Sequence, residues 1–194
     1  MDEEKVLDIF RKSNAMLVGH FLLTSGKHSN IYLEKFMVLQ DPQHTETLCR
    51  EFALHFKKYN VDVVIGAAVG GIILAFETAR QLKARAIFME REDGRLKLRR
   101  GFTINPGEKV LVVEDIVTTG GSVKELIESV KKDYKGEIVG VGLLIDRSNG
   151  VADFGIEDTY ALAKLEIKAY SEKNCPMCKK NTPLTKRGSR HLKK

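Results

Sequence analysis

From residue 61 onward, short apolar runs alternate with glycine-bearing turns and with helical patterns of apolar residues. The runs cover residues 61–66 (VDVVIG), 84–90 (ARAIFME), 109–115 (KVLVVED) and 137–146 (EIVGVGLLID). Continuous apolar runs of this kind are typical of parallel strands that are buried on both faces. The pattern therefore predicts an α/β fold with a doubly wound parallel sheet.

Two amphipathic helices are predicted before the first run, over residues 3–17 and 43–58, where apolar side chains recur at helical spacing. Asp41 and Pro42 are typical residues for the start of the second helix. Between the helices, residues 19–35 (GHFLLTSGKHSNIYLEK) are largely polar and contain glycine after a short apolar run. This segment is predicted to form a β-hairpin or a loop excursion.

Length and composition favour one domain over residues 1–194, since 43% of the residues are hydrophobic and no repeat or low-complexity linker divides them. No apolar run approaches the roughly 20 residues that span a bilayer. Residues 1–4 (MDEE) are acidic, unlike the start of a signal peptide. Three cysteines do not make a secreted disulfide framework. We therefore expect a soluble, cytoplasmic protein with no membrane partner.

The net charge of +6 suggests a nucleic-acid partner until the charges are located. Seven Lys and Arg residues and no acids lie from Lys179 onward, whereas residues 1–178 hold 25 basic and 26 acidic residues. A basic terminus on a neutral body is typical of a solvated tail, so a nucleic-acid partner is disfavoured.

Candidate chemistry is concentrated in residues 110–123 (VLVVEDIVTTGGSV), which contain the end of a predicted strand and residues 114–122, one of four loops that follow the predicted strands. The others are residues 66–71, 90–101 and 146–150, and ligands of such sheets bind beyond the carboxyl ends of the strands. Small hydroxyl residues and glycines at a helix N-terminus suit a phosphate. The acid pair before them would face ribose hydroxyls or a hydrated Mg²⁺. The alternative is an ordinary strand-to-helix turn with a threonine cap.

This segment resembles the binding motif for phosphoribosyl pyrophosphate (PRPP) in type I phosphoribosyltransferases. Over nearly its whole length the chain resembles the orotate phosphoribosyltransferase family. The matching segments are residues 19–35, 66–75 (GAAVGGIILA), 98–102 (LRRGF), 114–122 (EDIVTTGGS), 145–150 (IDRSNG) and 175–190 (CPMCKKNTPLTKRGSR).

The resemblance implies the parallel-sheet type I phosphoribosyltransferase fold, with N-terminal helices and a small hood region. It divides the chain into a hood or substrate segment (1–40), an α/β core (61–165) and a basic, cysteine-containing tail (171–194). The implied activity is transfer of the phosphoribosyl group of PRPP to orotate with Mg²⁺, by a homodimer. No direct protein ligand of Mg²⁺ is expected, because the ion would be carried by PRPP.

Site residues follow from the same resemblance. Mobile-loop cations are expected at Arg91 and Lys97, although a solvated charged hairpin is the alternative there. Orotate is expected to meet Thr118, Arg147 and Lys27, the alternative for Arg147 being a surface pair with Asp146. PRPP is expected to meet Val69, Gly70, Glu114, Asp115, Ile116, Val117, Thr118, Thr119, Gly120, Gly121 and Ser122.

The chain departs from better-known relatives at two positions. Gly70 and Thr24 stand where relatives have a lysine, and residues 90–102 lack the histidine of the family's mobile loop. The charge missing at position 70 must come from elsewhere or from Mg²⁺. Lys27 is the predicted substitute for the lysine missing at position 24.

Cys175 and Cys178 form half of a zinc site, but the sequence offers no second pair, since Cys49 and His191 are poor substitutes. We expect a packed or redox-sensitive tail, with zinc shared between subunits as the exception. His20 and His28 are expected to be polar loop residues.

Two rival functions remain at this point. One is a purine-type phosphoribosyltransferase, which would share the PRPP loop and read a different base. The other is a PRPP-sensing regulator that binds nucleic acid through the basic tail.

Overall fold

The computed structural model describes residues 1–187 of the chain. Within them, the helices are α1 (Glu3–Lys12), α2 (Phe36–Leu39), α3 (Pro42–Phe56), α4 (Gly70–Leu82), α5 (Gly121–Asp133) and α6 (Pro176–Lys179). The strands are β1 (Met16–Leu22), β2 (His28–Leu33), β3 (Val63–Ala67), β4 (Arg85–Glu92), β5 (Arg95–Leu98), β6 (Lys109–Val117), β7 (Glu137–Asp146), β8 (Thr159–Lys164), β9 (Ala169–Tyr170) and β10 (Thr185–Lys186).

Six strands form the central sheet, in the order β5-β4-β3-β6-β7-β8. All neighbours pair in parallel except β5, which runs antiparallel to β4 at one edge. The α/β fold with a mainly parallel sheet is thus confirmed. The edge strand β8 was missed, because its sequence TYALAK mixes polar and apolar residues and gives no continuous run.

Strand β6 lies between two apolar layers. Leu111 and Val113 pack in the cluster that contains side chains of α1, α3 and α4. Val110 and Val112 pack in the other cluster, which contains side chains of α5. Alternate residues therefore enter opposite layers, and the prediction of a sheet buried on both faces is confirmed.

The first helix is shorter than predicted. Asp2 caps α1 by accepting a hydrogen bond from the amide of Lys5 at 2.9 Å. The helix ends at Lys12, and Asn14 turns the chain with a φ of 52° before β1 begins at Met16. The predicted extension to residue 17 is wrong, because apolar residues 16 and 17 belong to a strand. The predicted start of α3 is confirmed, since the Asp41 side chain accepts from the amides of Gln43 and His44.

A second, four-stranded sheet has the order β10-β1-β2-β9. Strands β1 and β2 form the predicted hairpin, with an irregular register between Val18 and Phe21. Strand β9 pairs with β2, and β10 pairs with β1 in parallel. We call this sheet together with α6 the hood. Residues from both ends of the chain therefore build it.

None of the helices in the described part of the chain is both long and apolar enough to cross a membrane.

Candidate active site

A cavity of about 230 Å³ opens at the carboxyl ends of β3 and β6. It is lined by Lys35, by residues 67–70 and by residues 114–123. Two of the four loops nominated from the sequence meet here, because parallel strands bring their carboxyl ends to one edge of the sheet.

The acid pair lies near the end of β6. Asp115 is buried, with 2% of its surface exposed, and its Oδ1 accepts a hydrogen bond from the amide of Ile116 at 2.6 Å. Oε1 of Glu114 accepts from the amide of Asp115 at 3.0 Å. The second oxygen of Asp115, Oδ2, has no hydrogen bond of regular geometry within residues 1–187. Its partner is instead the ammonium group of Lys35.

The raised pKa of Glu114 is consistent with a site that binds a charged or hydroxyl-bearing ligand. Burial, and then the negative charge of Asp115, raise the pKa of Glu114 to about 7. Near neutral pH Glu114 is therefore not readily ionised without a partner. A cation or several hydroxyl donors at the pair would favour the ionised form.

Lys35 supplies a positive charge that the sequence did not reveal. Its Nζ lies 2.6 Å from Oδ2 of Asp115. The residue follows β2 and precedes α2, so the hood hairpin delivers it to the cavity. The one signal in the sequence is its position as the last residue of GHFLLTSGKHSNIYLEK, within the predicted substrate segment.

Gly70 leaves the space that Lys35 uses. A Cβ at this position would lie 1.8 Å from Oδ2 of Asp115 and 3.3 Å from Cε of Lys35. Any larger residue would displace the ion pair. A lysine at position 70 and the observed position of Lys35 therefore exclude each other.

The loop between β6 and α5, residues 118–120, and the first residues of α5 also line the cavity. Gly120 is the N-cap of α5, has a φ of 76°, and makes no side-chain cap hydrogen bond in the described structure. An added Cβ would lie 2.8 Å from the Phe154 ring, so both the backbone and the packing require glycine. The alternative of a threonine cap is wrong. The first amides of α5 remain available to an anion, at the positive end of the helix dipole.

Arg147 lies beside the start of this loop. Its amide donates to the carbonyl oxygen of Val117 at 2.8 Å. The side chain is half-buried, and its Nε has no partner within the described residues. Burial lowers the pKa of Arg147. The alternative pair with Asp146 is not found in residues 1–187, where Asp146 instead accepts from the amide of Ser148 at 2.8 Å.

The two predicted loop cations lie on the hairpin of β4 and β5, and they are outside the described lining of the cavity. Arg91 donates to Gly94 O at 2.6 Å and pairs with Glu125 at 2.9 Å. Lys97 pairs with Glu92 at 3.0 Å. Their predicted roles in covering the ligand therefore stay predictions.

Lys27 occupies the exposed turn between β1 and β2, also outside the residues found to line the cavity. Its backbone oxygen accepts from the amide of Leu23 at 2.8 Å. Its predicted contact with orotate stays a prediction as well.

Two expectations about the hood are wrong. His20 and His28 are strand residues, 3% and 4% exposed, and are not polar loop residues. They lie against Cys175 and Cys178, so the cysteines do have a second pair of metal-ligand side chains beside them. The sequence alone does not predict this pairing, because about 150 residues separate the histidines from the cysteines. His191 lies outside the described residues.

Comparison with known proteins agrees with the geometry. Residues 39–153 match the phosphoribosyl transferase domain. The chain is 56% identical over 192 residues to an orotate phosphoribosyltransferase of Caldanaerobacter subterraneus, which covers 99% of this chain and 100% of the relative. An orotate phosphoribosyltransferase of Thermotoga maritima is 49% identical, covering 97% of this chain and 100% of the relative.

Solved structures share the fold. Orotate phosphoribosyltransferase from Aeropyrum pernix superposes with a TM-score of 0.69 at 23% identity, covering 82% of this chain and 93% of that chain. The Mycobacterium tuberculosis enzyme in complex with inorganic phosphate gives 0.68 at 22% identity, with 84% and 96% covered. The domain match spans more than half of the chain, and the curated relatives match it end to end. This chain belongs to the orotate phosphoribosyltransferase family.

Proposed function

We propose that this enzyme transfers the 5-phosphoribosyl group of PRPP to N1 of orotate, producing orotidine 5′-monophosphate and pyrophosphate for pyrimidine nucleotide synthesis. The observation that carries the proposal is one cavity lined both by an acid pair, of which Asp115 is buried, and by an uncapped helix N-terminus. Acids suit ribose hydroxyls and free amides suit a phosphate, so the two groups match the two ends of a ribose 5-phosphate.

The PRPP contacts follow from that match. The 5-phosphate accepts hydrogen bonds from the amides and hydroxyls of residues 118–122, while Glu114 and Asp115 accept from the ribose hydroxyls. The pyrophosphate meets the amides at Val69 and Gly70. Lys35 supplies the positive charge there, which is supported by its Nζ lying 2.6 Å from Asp115 at the same wall.

Mg²⁺ fits the donor set of this site. Carboxylate oxygens are the ligands that Mg²⁺ prefers, usually with several waters retained. Oδ2 of Asp115 is paired with Lys35, whereas Glu114 has no ion-pair partner among the described residues, so Glu114 has capacity for a hydrated ion. When bound with PRPP, the ion neutralises negative charge on the leaving pyrophosphate.

Orotate is a planar anion, and we place it between Arg147 and Thr118. The unpartnered Nε and the half-buried position of Arg147 support this role, because an unsatisfied guanidinium favours a carboxylate that can accept two hydrogen bonds. Lys27 would reach orotate from the hood hairpin.

The reaction then depends on position and electrostatics. The C1′–O bond breaks ahead of or together with attack by orotate N1, so positive charge develops on the ribose and negative charge on the pyrophosphate. The acid pair lies on the side of the ribose, and amides, Lys35 and the loop cations Arg91 and Lys97 act on the pyrophosphate side. Closure of the loop over residues 90–101 would exclude water. No covalent enzyme intermediate is needed.

The proposal includes a cytoplasmic homodimer of one-domain chains. Phe76 on α4 lies outside the cavity lining and is 64% exposed, so it is a candidate for the subunit contact. Three free thiols fit a reducing compartment. Light scattering of the purified chain measures the subunit number.

A spectrophotometric assay tests the function. We expect loss of orotate absorbance with PRPP and Mg²⁺, and no transfer to adenine, hypoxanthine or xanthine. Transfer to a purine would favour the purine-type rival. Nucleic-acid binding that falls with salt and disappears without residues 179–194, in a chain inactive toward every base, would favour a regulator.

Arg147→Ala tests the orotate contact. We expect the KM for orotate to rise about 10²-fold, because two charge-assisted hydrogen bonds of about 1.5 kcal/mol each are lost, with a much smaller change in the KM for PRPP. Steady-state kinetics with each substrate varied measure both constants. Arg50→Ala, which removes an exposed helical arginine paired with Glu46, is the control. An unchanged orotate KM in the Arg147 variant would contradict the assignment.

A further inference from the structure

Four metal-ligand side chains converge in the hood, outside the residues that line the catalytic cavity. They are His20 on β1, His28 on β2, and Cys175 and Cys178 at the two ends of a Cys-Pro-Met-Cys turn. Their ligand atoms all lie within 4.8 Å of one another. Cys175 is fully buried, and the two histidines are nearly so.

The spacing is close to that of a tetrahedral metal site. Zinc bonds of about 2.0–2.1 Å to nitrogen and about 2.3 Å to sulfur keep the ligand atoms about 3.3–3.8 Å apart. Nε2 of His20 lies 3.5 Å from Sγ of Cys175 and 3.6 Å from Sγ of Cys178. Sγ of Cys178 lies 3.2 Å from Nδ1 of His28. The two ring nitrogens, now 2.8 Å apart, need to separate by about half an ångström around an ion.

One hydrogen bond prepares His20 to be a ligand. Its Nδ1 lies 2.8 Å from the carbonyl oxygen of Thr182, and only a protonated ring nitrogen can donate to a carbonyl. In the neutral ring, Nε2 therefore carries the lone pair, and that lone pair points into the cluster. Zinc-binding histidines are held by the same kind of outer hydrogen bond.

Charge and ligand type favour zinc. Two thiolates and two imidazoles in a tetrahedral set are the donors that zinc prefers. A divalent cation would also neutralise two buried thiolates, which would otherwise be costly in this apolar setting. Because four protein ligands leave no open position, the site would be structural and not catalytic.

We propose that His20, His28, Cys175 and Cys178 bind one structural zinc ion that fastens the C-terminal tail to the hood hairpin. The tail is otherwise held to the hairpin by short pairings, two residue pairs between β10 and β1 and two between β9 and β2. An ion shared by the hairpin and the α6 turn joins these segments directly. This inference does not depend on the proposed substrates.

Metal analysis of the full chain, produced without a histidine tag in zinc-supplemented medium, is the test. We expect one zinc per chain. Cobalt added to the reduced, metal-free chain should give thiolate-to-cobalt charge-transfer bands and the d–d bands of a tetrahedral ion. Cys178→Ser should lower the zinc content at least tenfold. The matched controls Cys49→Ala and His44→Asn, a cysteine and a histidine outside the cluster, should keep one zinc.

Hydrogen exchange separates a structural ion from surface binding. Chelation should speed exchange in residues 16–33 and 169–187 at least tenfold and leave β6 unchanged.

Four outcomes would overturn the site. They are a reduced wild-type chain that takes up no zinc, a cobalt spectrum without thiolate bands, a Cys178→Ser variant with full zinc content, and a Cys175–Cys178 disulfide in chain purified with thiols protected. All but the third use the wild-type chain alone, so they remain decisive if the variant does not fold.

Discussion

The catalytic cavity and the hood cluster are both built from polar side chains, but they differ in how those side chains are satisfied. In the cavity, Oδ2 of Asp115 is paired with Lys35 alone, and the pKa of Glu114 is raised to about 7. Beside the cavity, Nε of Arg147 lacks a partner among the described residues. In the hood, His20 and Cys178 contact other members of their own cluster. Buried polar atoms without partners are typical of a site that binds a ligand from solution. Ligand atoms that contact only one another are typical of a structural site.

Asp115→Asn should show the largest difference between the two regions, because it should impair catalysis without affecting the hood. We expect kcat/KM for PRPP to fall about 10²- to 10³-fold, because the variant weakens two or more charge-assisted hydrogen bonds of about 1.5 kcal/mol each. The hood should keep its metal. Steady-state kinetics and metal content are measured on the same preparation, with Asp133→Asn at the exposed end of α5 as control. Kinetics within twofold of wild type would remove Asp115 from the PRPP site.

Glu114→Gln tests whether ionisation of a carboxyl group in the cavity lowers the free energy of unfolding, an effect not expected from the hood. The folded chain favours protonated Glu114, since its pKa is raised from 4.5 to about 7. The free energy of unfolding should therefore fall as pH rises from about 4.5 to about 7, by up to about 3 kcal/mol from this group. Glu114→Gln should flatten this dependence in urea titrations of the ligand-free chain. Glu128→Gln, on the exposed face of α5, should retain the wild-type slope, and a Glu114 variant that also retains it would refute the idea.

Lys35→Met should give the smallest of these effects. It tests the link between the hood and the cavity, because Lys35 follows the hood strand β2 in the chain and its side chain lines the cavity. We expect the KM for PRPP to rise about tenfold, the equivalent of one charge-assisted hydrogen bond of about 1.5 kcal/mol. Lys12→Met, an exposed lysine on α1, is the control. A parallel Lys27→Met variant tests separately whether Lys27 substitutes for the lysine missing at position 24. An unchanged PRPP KM for Lys35→Met would exclude that role for Lys35.

Much of the cavity could be predicted because its parts are contiguous in the sequence. Residues 110–123 contain a buried strand, the acid pair, a glycine turn and a helix start, and each has a local signature. The four principal strands were found for the same reason, since apolar runs mark parallel strands. The α/β class followed directly from their alternation with helices.

Lys35 and the hood cluster could not be found in this way. Lys35 is one of many lysines, and its approach to Asp115 depends on the empty space at Gly70, which only the folded chain shows. The hood cluster joins residues about 150 positions apart. Strands β9 and β10 have two residues each, so they carry no periodicity, and only their pairing with the hairpin defines them.

The parallel pairing of β10 with β1 has a consequence for biosynthesis. Phe21 pairs with Thr185 and Leu22 with Lys186, so β1 receives a neighbour that the ribosome makes only after every strand of the central sheet. The central sheet is complete once Lys164 has emerged, and it can fold while β1 still presents an open edge. An open edge strand invites pairing with other chains, so nascent or truncated forms that lack residues 169–187 would be the aggregation-prone species.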